Sequence, residues 1–326
     1  MRAVIITEPG GANVLEIQEA PAPTPGPGQV LVRVAAAGLN RADIIQRRGF
    51  YPAPPGSPQD IPGLEYSGEV AAVGEGVTLR SVGDRVMGLV GGGACGELLV
   101  THERETIAVP DGVELVDAAA IPEVFMTAYD AAHLQADLKM GQRLLVHAVG
   151  SGVGTAAIQL ARLAGAHTFG TTRSQWKIDT CEELGLGLDV AINTSEAPDF
   201  QEVLQKHGGA DVILDLVGGG YLERNIQALS PQGHMIIVGL LTGANAPLSL
   251  RDVLKRRLKI TGTALRARPL EEKITLARLF ERRVVPLFAQ QKLRPVIDRT
   301  FSMDEVQEAH TFMEENANFG KILLSW

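Results

Sequence analysis

The sequence is poor in cysteine, in long apolar runs and in net positive charge. Two cysteines, Cys95 and Cys181, stand among 326 residues. That excludes a disulfide framework and any zinc site built from three or four thiolates. There is no C-x-x-C pair, and Cys95 lies in a glycine-rich turn with no histidine within six residues. Both read as ordinary structural cysteines. No stretch approaches the ~18 uninterrupted apolar residues that a membrane span needs. The longest run, Met235–Leu241, contains Gly239 and stops at Thr242. The N-terminal segment reads as a β-strand and turn, not as a secretory signal. A cytoplasmic location and no membrane partner are therefore expected. The formal net charge of -8 disfavours nucleic acid held through overall charge. The local basic clusters Lys255–Arg257 and Arg282–Arg283 read as solvated helix faces.

What is present is an ordinary globular balance, 45% apolar and 21% charged. At roughly 100–200 residues per domain, the length implies about two domains. The first part reads as a succession of short strands separated by glycine and proline: Arg2–Ile6, Val14–Glu19, Gln29–Ala37, Glu65–Val73, Arg85–Leu89, Glu97–Thr101 and Thr106–Val109. One helix is predicted at Arg41–Arg48. From about Phe125 strands alternate with helices, beginning with the strand Arg143–Ala148 and ending with the strand His234–Gly239. That alternation predicts a parallel sheet wound on both faces. Near the C-terminus, Pro286 interrupts a helical segment, Ser302–Glu305 fits a capping box, and Gly320–Leu324 reads as a final strand.

The sharpest chemical signal is Gly150-Ser151-Gly152-Val153-Gly154, between a strand and a helix. A dinucleotide pyrophosphate needs bare N–H groups at a helix N-terminus and glycines that permit close approach. At the end of the next strand an NAD site carries an acid for the ribose 2′-hydroxyl. Here the run is Thr172-Arg173-Ser174-Gln175-Trp176-Lys177, with no acid before Asp179. Arg173, Ser174 and Lys177 offer donors for a 2′-phosphate, so NADPH is the expected cofactor.

Further segments carry a resemblance: Asn40-Arg41-Ala42-Asp43, Gly63-Leu64-Glu65-Tyr66-Ser67-Gly68, Val82-Gly83-Asp84-Arg85-Val86, Ala119-Ala120-Ile121-Pro122, His147–Gly154 and Gly320-Lys321. Over essentially the whole chain they resemble the medium-chain dehydrogenase/reductase superfamily, in its zinc-free, zeta-crystallin-like quinone oxidoreductase branch. Zinc-dependent relatives place a cysteine at the position of Asn40 and a histidine at that of Leu64, so no metal is expected. The resemblance implies an α/β chain with a GroES-like β-rich catalytic domain, 1–124 and 265–326. A Rossmann domain with a doubly wound parallel sheet, 125–264, would be inserted between them, with the active site in the cleft.

It further implies that Asn40 and Tyr51 serve catalysis, Tyr51 by bonding a quinone oxygen. Asn40, Thr127, Gly150, Ser151, Gly152, Val153, Gly154, Thr172, Arg173, Ser174, Lys177, Gly239, Leu240, Leu265, Arg266, Phe319 and Lys321 would contact the cofactor. Thr194 departs from relatives that place a tyrosine beside the adenosine. The function implied is NADPH-dependent reduction of a quinone without zinc. The alternatives are an alkenal or enone reductase, or a cofactor-binding RNA or regulatory protein. A homodimer, paired near Pro247–Thr263, is also implied. Simpler duties stand beside these: Asn40 as a helix N-cap, Glu65 as a structural carboxylate, Lys321 as a solvated strand residue and His147 as a core histidine.

Overall fold

Alternation builds the first unit. In the strand Gln29–Leu39, Val30, Val32 and Val34 are buried while Arg33 is exposed. The computed structural model describes every residue, Met1–Trp326. The chain forms two units, Met1–Met126 with Leu265–Trp326, and Thr127–Ala264.

In the first unit the strands are β1 (Arg2–Ile6), β2 (Leu15–Glu19), β3 (Gln29–Leu39), β4 (Glu65–Val73), β5 (Arg85–Leu89), β6 (Leu98–His102) and β7 (Ile107–Ala108). The inserted unit contributes β8 (Arg143–Val146), β9 (His167–Thr172), β10 (Val190–Asn193), β11 (Ala210–Asp215), β12 (Leu229–Ile237) and β13 (Lys259–Gly262). The chain then returns to the first unit with β14 (Ile297–Ser302) and β15 (Lys321–Ser325).

The first unit holds a seven-stranded sheet in the order β14-β15-β3-β4-β5-β7, with β6 also paired to β3. Only β14 and β15 run parallel; the other pairs are antiparallel. Its core joins Val30, Val32 and Val34 to Phe301, Ile322 and Leu324, so both ends of the chain close one apolar cluster. β1 and β2 form a separate hairpin.

The second unit is a six-stranded, wholly parallel sheet in the order β10-β9-β8-β11-β12-β13. Leu145, Phe169, Ile213 and Met235 from its strands pack with Phe200 and Leu204 from the helix Phe200–Lys206. Burial on both faces explains why these strands are apolar without alternation. Strand order reverses between β8 and β11, and ligands bind such sheets at that switch, beyond the C-terminal strand ends.

Besides β13 and β14, which lack a local signal, two elements differ from the sequence expectation. The helix Pro122–Ala128 runs on into a π turn, Tyr129–Gln135, where no element was expected. β12 begins at Leu229, because the Ser-Pro-Gln-Gly run inside it forms part of the strand and not a turn. The helical segment around Pro286 is interrupted as expected, into Leu270–Arg283 and Val285–Ala289, the second with proline in its first turn.

Candidate functional site

In the nucleotide-type unit, β8 ends at Val146 and the helix Gly152–Leu163 begins six residues later. Ser151 caps this helix, its Oγ accepting from Gly154 N at 3.1 Å. Gly154 is required for packing: a Cβ there would lie 2.5 Å from Val149 O and 2.7 Å from Ala148 O. The loop thus returns tightly onto the strand and leaves its N–H groups at the helix N-terminus, a geometry that fits a dinucleotide pyrophosphate.

The other predicted cofactor residues of this unit lie at the C-terminal ends of neighbouring strands. Thr172 ends β9; Arg173 is exposed; Ser174 caps the next helix; Lys177 lies in its first turn, its ammonium 5.0 Å from the Trp176 ring centroid. Thr194, after β10, accepts from the Tyr221 hydroxyl at 3.1 Å. Gly239 and Leu240 follow β12; Gly239 N donates to Asp215 O at 3.1 Å, and Leu240 is exposed. Thr127 is buried at the start of the unit.

Sequence reading missed the polar chain beneath this loop. His147 is fully buried between Thr171 Oγ1 at 2.8 Å and Asn225 Oδ1 at 2.6 Å. Asn225 Nδ2 donates to Asp215 Oδ2 at 3.2 Å, while Asp215 Oδ1 accepts from Val217 N and Gly218 N. Burial pushes the His147 imidazole down, so it is a neutral scaffold group. The signal available was a single polar residue closing an apolar run, His147 after β8 and Asp215 at the end of β11.

The first unit contains a second cluster, around Asn40. Lys321 opens β15 and is 3% exposed. Its ammonium donates to Leu39 O at 2.7 Å, Asn40 Oδ1 at 2.9 Å and Glu65 Oε1 at 2.6 Å. An ammonium has three donors, and these bonds use them all. The structure therefore corrects one expectation for Lys321: it is not a solvated strand residue but half of a buried ion pair. Glu65, 0% exposed, also accepts from Asn40 Nδ2 at 3.0 Å and from Glu123 N at 2.7 Å. Asn40 Nδ2 donates as well to Gly38 O at 3.0 Å, so both amide hydrogens are spent. The amide of Asn40 therefore faces its surroundings as an acceptor. Gly38 makes this cluster possible, because a Cβ there would stand 2.4 Å from Glu65 Oε1.

Arg266 is a second buried cation of this unit. Its guanidinium donates to Gly91 O, Tyr51 O and Gln46 Oε1, and it lies 5.1 Å from the Tyr51 ring centroid. Three of its five N–H donors are thus used inside the first unit. Leu265 and Phe319 are buried beside it in the sequence and in the same unit, respectively. Burial raises the Tyr51 phenol above its ordinary value, with Arg266 opposing, so the hydroxyl is protonated at neutral pH. Asp43, buried and accepting from Asn40 N and Gly63 N, is pushed up to about 6 by burial. Burial likewise pushes the thiol of Cys181 up to about 11 and that of Cys95 well above its usual range, so neither is an activated nucleophile.

Comparison with known proteins agrees across both units. Residues 26–111 match the alcohol dehydrogenase GroES-like domain and residues 152–282 the zinc-binding dehydrogenase domain. The donor set does not fit zinc. No group of three or more His, Cys, Asp or Glu side chains converges, and an ammonium already bridges Asn40 and Glu65. The chain is 32% identical over 341 residues to the human synaptic vesicle membrane protein VAT-1 homolog, spanning 99% of this chain and 86% of that one. Among solved structures it resembles an NAD-dependent alcohol dehydrogenase, with TM-score 0.88, 32% identity and full coverage of both chains. It also resembles Escherichia coli quinone oxidoreductase complexed with NADPH, with TM-score 0.89, 26% identity and full coverage of both. The CurK enoyl reductase follows at TM-score 0.86 and 27% identity, over 99% of this chain and 98% of that one. No helix is long and apolar enough to cross a membrane. A likeness that runs through both units, with the zinc ligands replaced, makes this chain a member of the medium-chain dehydrogenase/reductase superfamily of nicotinamide-dependent oxidoreductases, in its zinc-free, zeta-crystallin-like branch.

Proposed function

We propose that this protein reduces quinones at the expense of NADPH, without a metal. The cofactor supplies the hydride. The chain supplies binding, orientation and one hydrogen-bond donor. Ser151–Gly154 hold the pyrophosphate, with Gly150 entering the turn. Arg173, Ser174 and Lys177 hold the 2′-phosphate, beside Thr172. Thr127, Gly239 and Leu240 are the further cofactor contacts proposed in this unit, and Leu265 and Phe319 in the other. Asn40 accepts a hydroxyl hydrogen bond from the ribose beside the nicotinamide.

The observation that carries the reading is the state of Tyr51. Arg266 holds this residue by its backbone carbonyl and its ring face, contacts that leave the phenol hydroxyl for substrate. A neutral phenol donates to the oxygen on which charge develops. A quinone takes the hydride of NADPH and a single proton, and that proton ends on an oxygen, so water supplies it once the oxyanion has formed and no dedicated acid for carbon is needed. An enone needs a proton at carbon. In the Asn40 cluster, the Lys321 and Asn40 hydrogens are already bound to protein acceptors.

The test is oxidation of NADPH and NADH with 1,4-benzoquinone, 9,10-phenanthrenequinone and a 2-alkenal, after chelation. NADPH-preferring quinone turnover is expected. Faster turnover of the alkenal would transfer the assignment to an enone reductase. A preference for NADH would remove the phosphate site.

The partner proposed is a second copy of this chain. β13 is the edge strand of its sheet, and Leu250 and Leu254, 74% and 78% exposed, lie one turn apart on the preceding helix. Sedimentation should give a dimer that Leu250→Glu with Leu254→Glu dissociates. A monomeric wild type would end this reading.

A further inference from the structure

The loop Tyr51–Gln59 (YPAPPGSPQ) contains four prolines, at positions 52, 54, 55 and 58. Proline has no N–H, so this segment can neither join a sheet ladder nor wind into a helix. It is nevertheless fixed against the rest of the unit: Gly91 packs so closely that a Cβ there would meet Ser57 Oγ at 2.1 Å and Pro54 Cγ at 2.8 Å. Within the loop, Ser57 N and Gln59 Nε2 satisfy the carbonyl of Pro54, and Gln59 Nε2 that of Ser57; the carbonyls at its two ends are taken by two buried side chains from outside it.

Arg266 Nη1 donates to Tyr51 O at 3.2 Å, at one end of the loop. Gln46 Nε2 donates to Gln59 O at 3.2 Å, at the other end. The two clamping side chains are joined to each other, because Arg266 Nη2 donates to Gln46 Oε1 at 2.6 Å. The third direction of the guanidinium, through Nε, is fixed on Gly91 O at 2.8 Å. Arg266 and Gln46 are 9% and 5% exposed, so water does not compete well for these bonds. The guanidinium plane also covers the Tyr51 ring, 5.1 Å from its centroid.

We infer that Arg266 and Gln46 form a clamp across the Tyr51–Gln59 loop, and that Arg266 is the positioning residue that aims Tyr51 at the substrate oxygen. This rests on Tyr51 being the donor proposed above. A planar fork that reaches three acceptors in three directions is a task for arginine; a lysine ammonium on a flexible stem does not reproduce it. The position of Arg266, second in the segment returning to the first unit, is then explained without a cofactor contact.

Two readouts separate the clamp from the chemistry. In Arg266→Met, hydrogen exchange at the non-proline amides of residues 51–59 should accelerate, while the dissociation constant for NADPH stays within about twofold of wild type. With benzoquinone, kcat/KM should fall about 10²-fold, as expected for a misplaced reacting group. In a Tyr51→Phe background the same Arg266→Met change should cost nothing further, because both act through one hydroxyl. Arg266→Lys should recover little of the loss. Gln46→Met serves should Arg266→Met fold poorly; it leaves the Arg266–Tyr51 bond and should accelerate exchange at the Ser57–Gln59 end.

Unchanged exchange in both variants overturns the clamp, whatever the activity. An NADPH affinity that falls in step with kcat/KM overturns it in favour of a cofactor ligand. Additive losses in the double variant overturn the route through Tyr51. If Tyr51→Phe keeps full quinone turnover while Arg266→Met still loosens the loop, the assignment of Tyr51 as donor fails and the clamp stands as a loop anchor.

Discussion

Replacing Lys321 by methionine keeps most of the side-chain volume and deletes the charge. Glu65, 0% exposed, would keep its bonds from Asn40 Nδ2 and Glu123 N but lose the cation 2.6 Å away. Leu39 O and Asn40 Oδ1 would lose the same donor. Removing one member of a buried ion pair costs about 3–5 kcal/mol, because the other charge is left uncompensated. Glu65→Gln does the same in the opposite sense. The double variant removes both charges and leaves imperfect hydrogen bonds, at about 1–3 kcal/mol. The two single losses should therefore exceed the double loss by at least about 3 kcal/mol. Urea unfolding reads this cleanly. The chain has two tryptophans, and in a Trp176→Phe background Trp326 reports the unit that holds the pair. The m-values must match for the comparison to hold. Losses that add to within about 0.5 kcal/mol would refute the coupling and, with it, the view that Lys321 belongs to Glu65.

Three further outcomes follow from the same geometry. Gly38→Ala, whose Cβ would stand 2.4 Å from Glu65 Oε1 and 2.6 Å from Ala119 O, should destabilise by about 1–3 kcal/mol in the same urea assay. Arg173→Ala with Lys177→Ala should weaken NADPH binding about tenfold or more and leave NADH binding unchanged in a fluorescence titration, if those side chains hold the 2′-phosphate. The acid limb of stability should contain two opposed contributions. Asp43 is raised by burial from 3.8 to about 6, so its contribution, about 3 kcal/mol, is present below pH 4 and lost as pH rises through 6. His310 is lowered by burial, with Arg47 adding to the shift, to about 3, so its contribution is present above pH 6.5 and lost as pH falls towards 3. Asp43→Asn should make stability rise more steeply between pH 4 and 6, and His310→Asn should make it rise less; the reverse order of slopes would show that these groups do not titrate as described.

The fold was legible wherever a period or a turn residue controls the backbone. Glu65–Val73 and Arg85–Leu89 fall where alternation and the flanking glycines put them, and the β8–β11 units follow from strand–helix alternation. What was missed lacks such a local signal. β13, Lys259–Gly262, is a four-residue edge strand whose identity comes from pairing with β12. β14, Ile297–Ser302, is mostly polar and exposed, and it is a strand because β15 lies beside it. The π turn at Tyr129–Gln135 continues the helix Pro122–Ala128, and its own residues would suit an ordinary helix equally well; its Asp130 and Gln135 are tied by a bond of 2.6 Å, and Gln135 reaches Thr263 at 2.8 Å. Pairing with a strand some 25 residues away, or a bond across 128 residues as between Gln135 and Thr263, has no local counterpart in the sequence.

The same distinction runs through the site. Glycine positions were readable because a missing Cβ is itself the signal, and Gly154 sits where any side chain would strike the strand end. Charged positions were not, because a lysine or arginine carries the same letter whether it meets a ligand or a buried partner. Lys321 and Arg266 read alike in the sequence, as cofactor contacts; in the structure Lys321 gives all three of its donors, and Arg266 three of its five, to protein oxygens. A buried cation must be satisfied, and its partner must be buried with it. For Lys321 that partner, Glu65, is 256 residues away in the chain, and for Arg266 the acceptor on Gln46 is 220 away. Each cation fixes a neighbour, Asn40 in one case and the backbone of Tyr51 in the other, and these neighbours are the groups proposed above to meet a ligand. The burial and the partner that decide what a lysine or arginine does come from the fold, so the sequence alone could not place them.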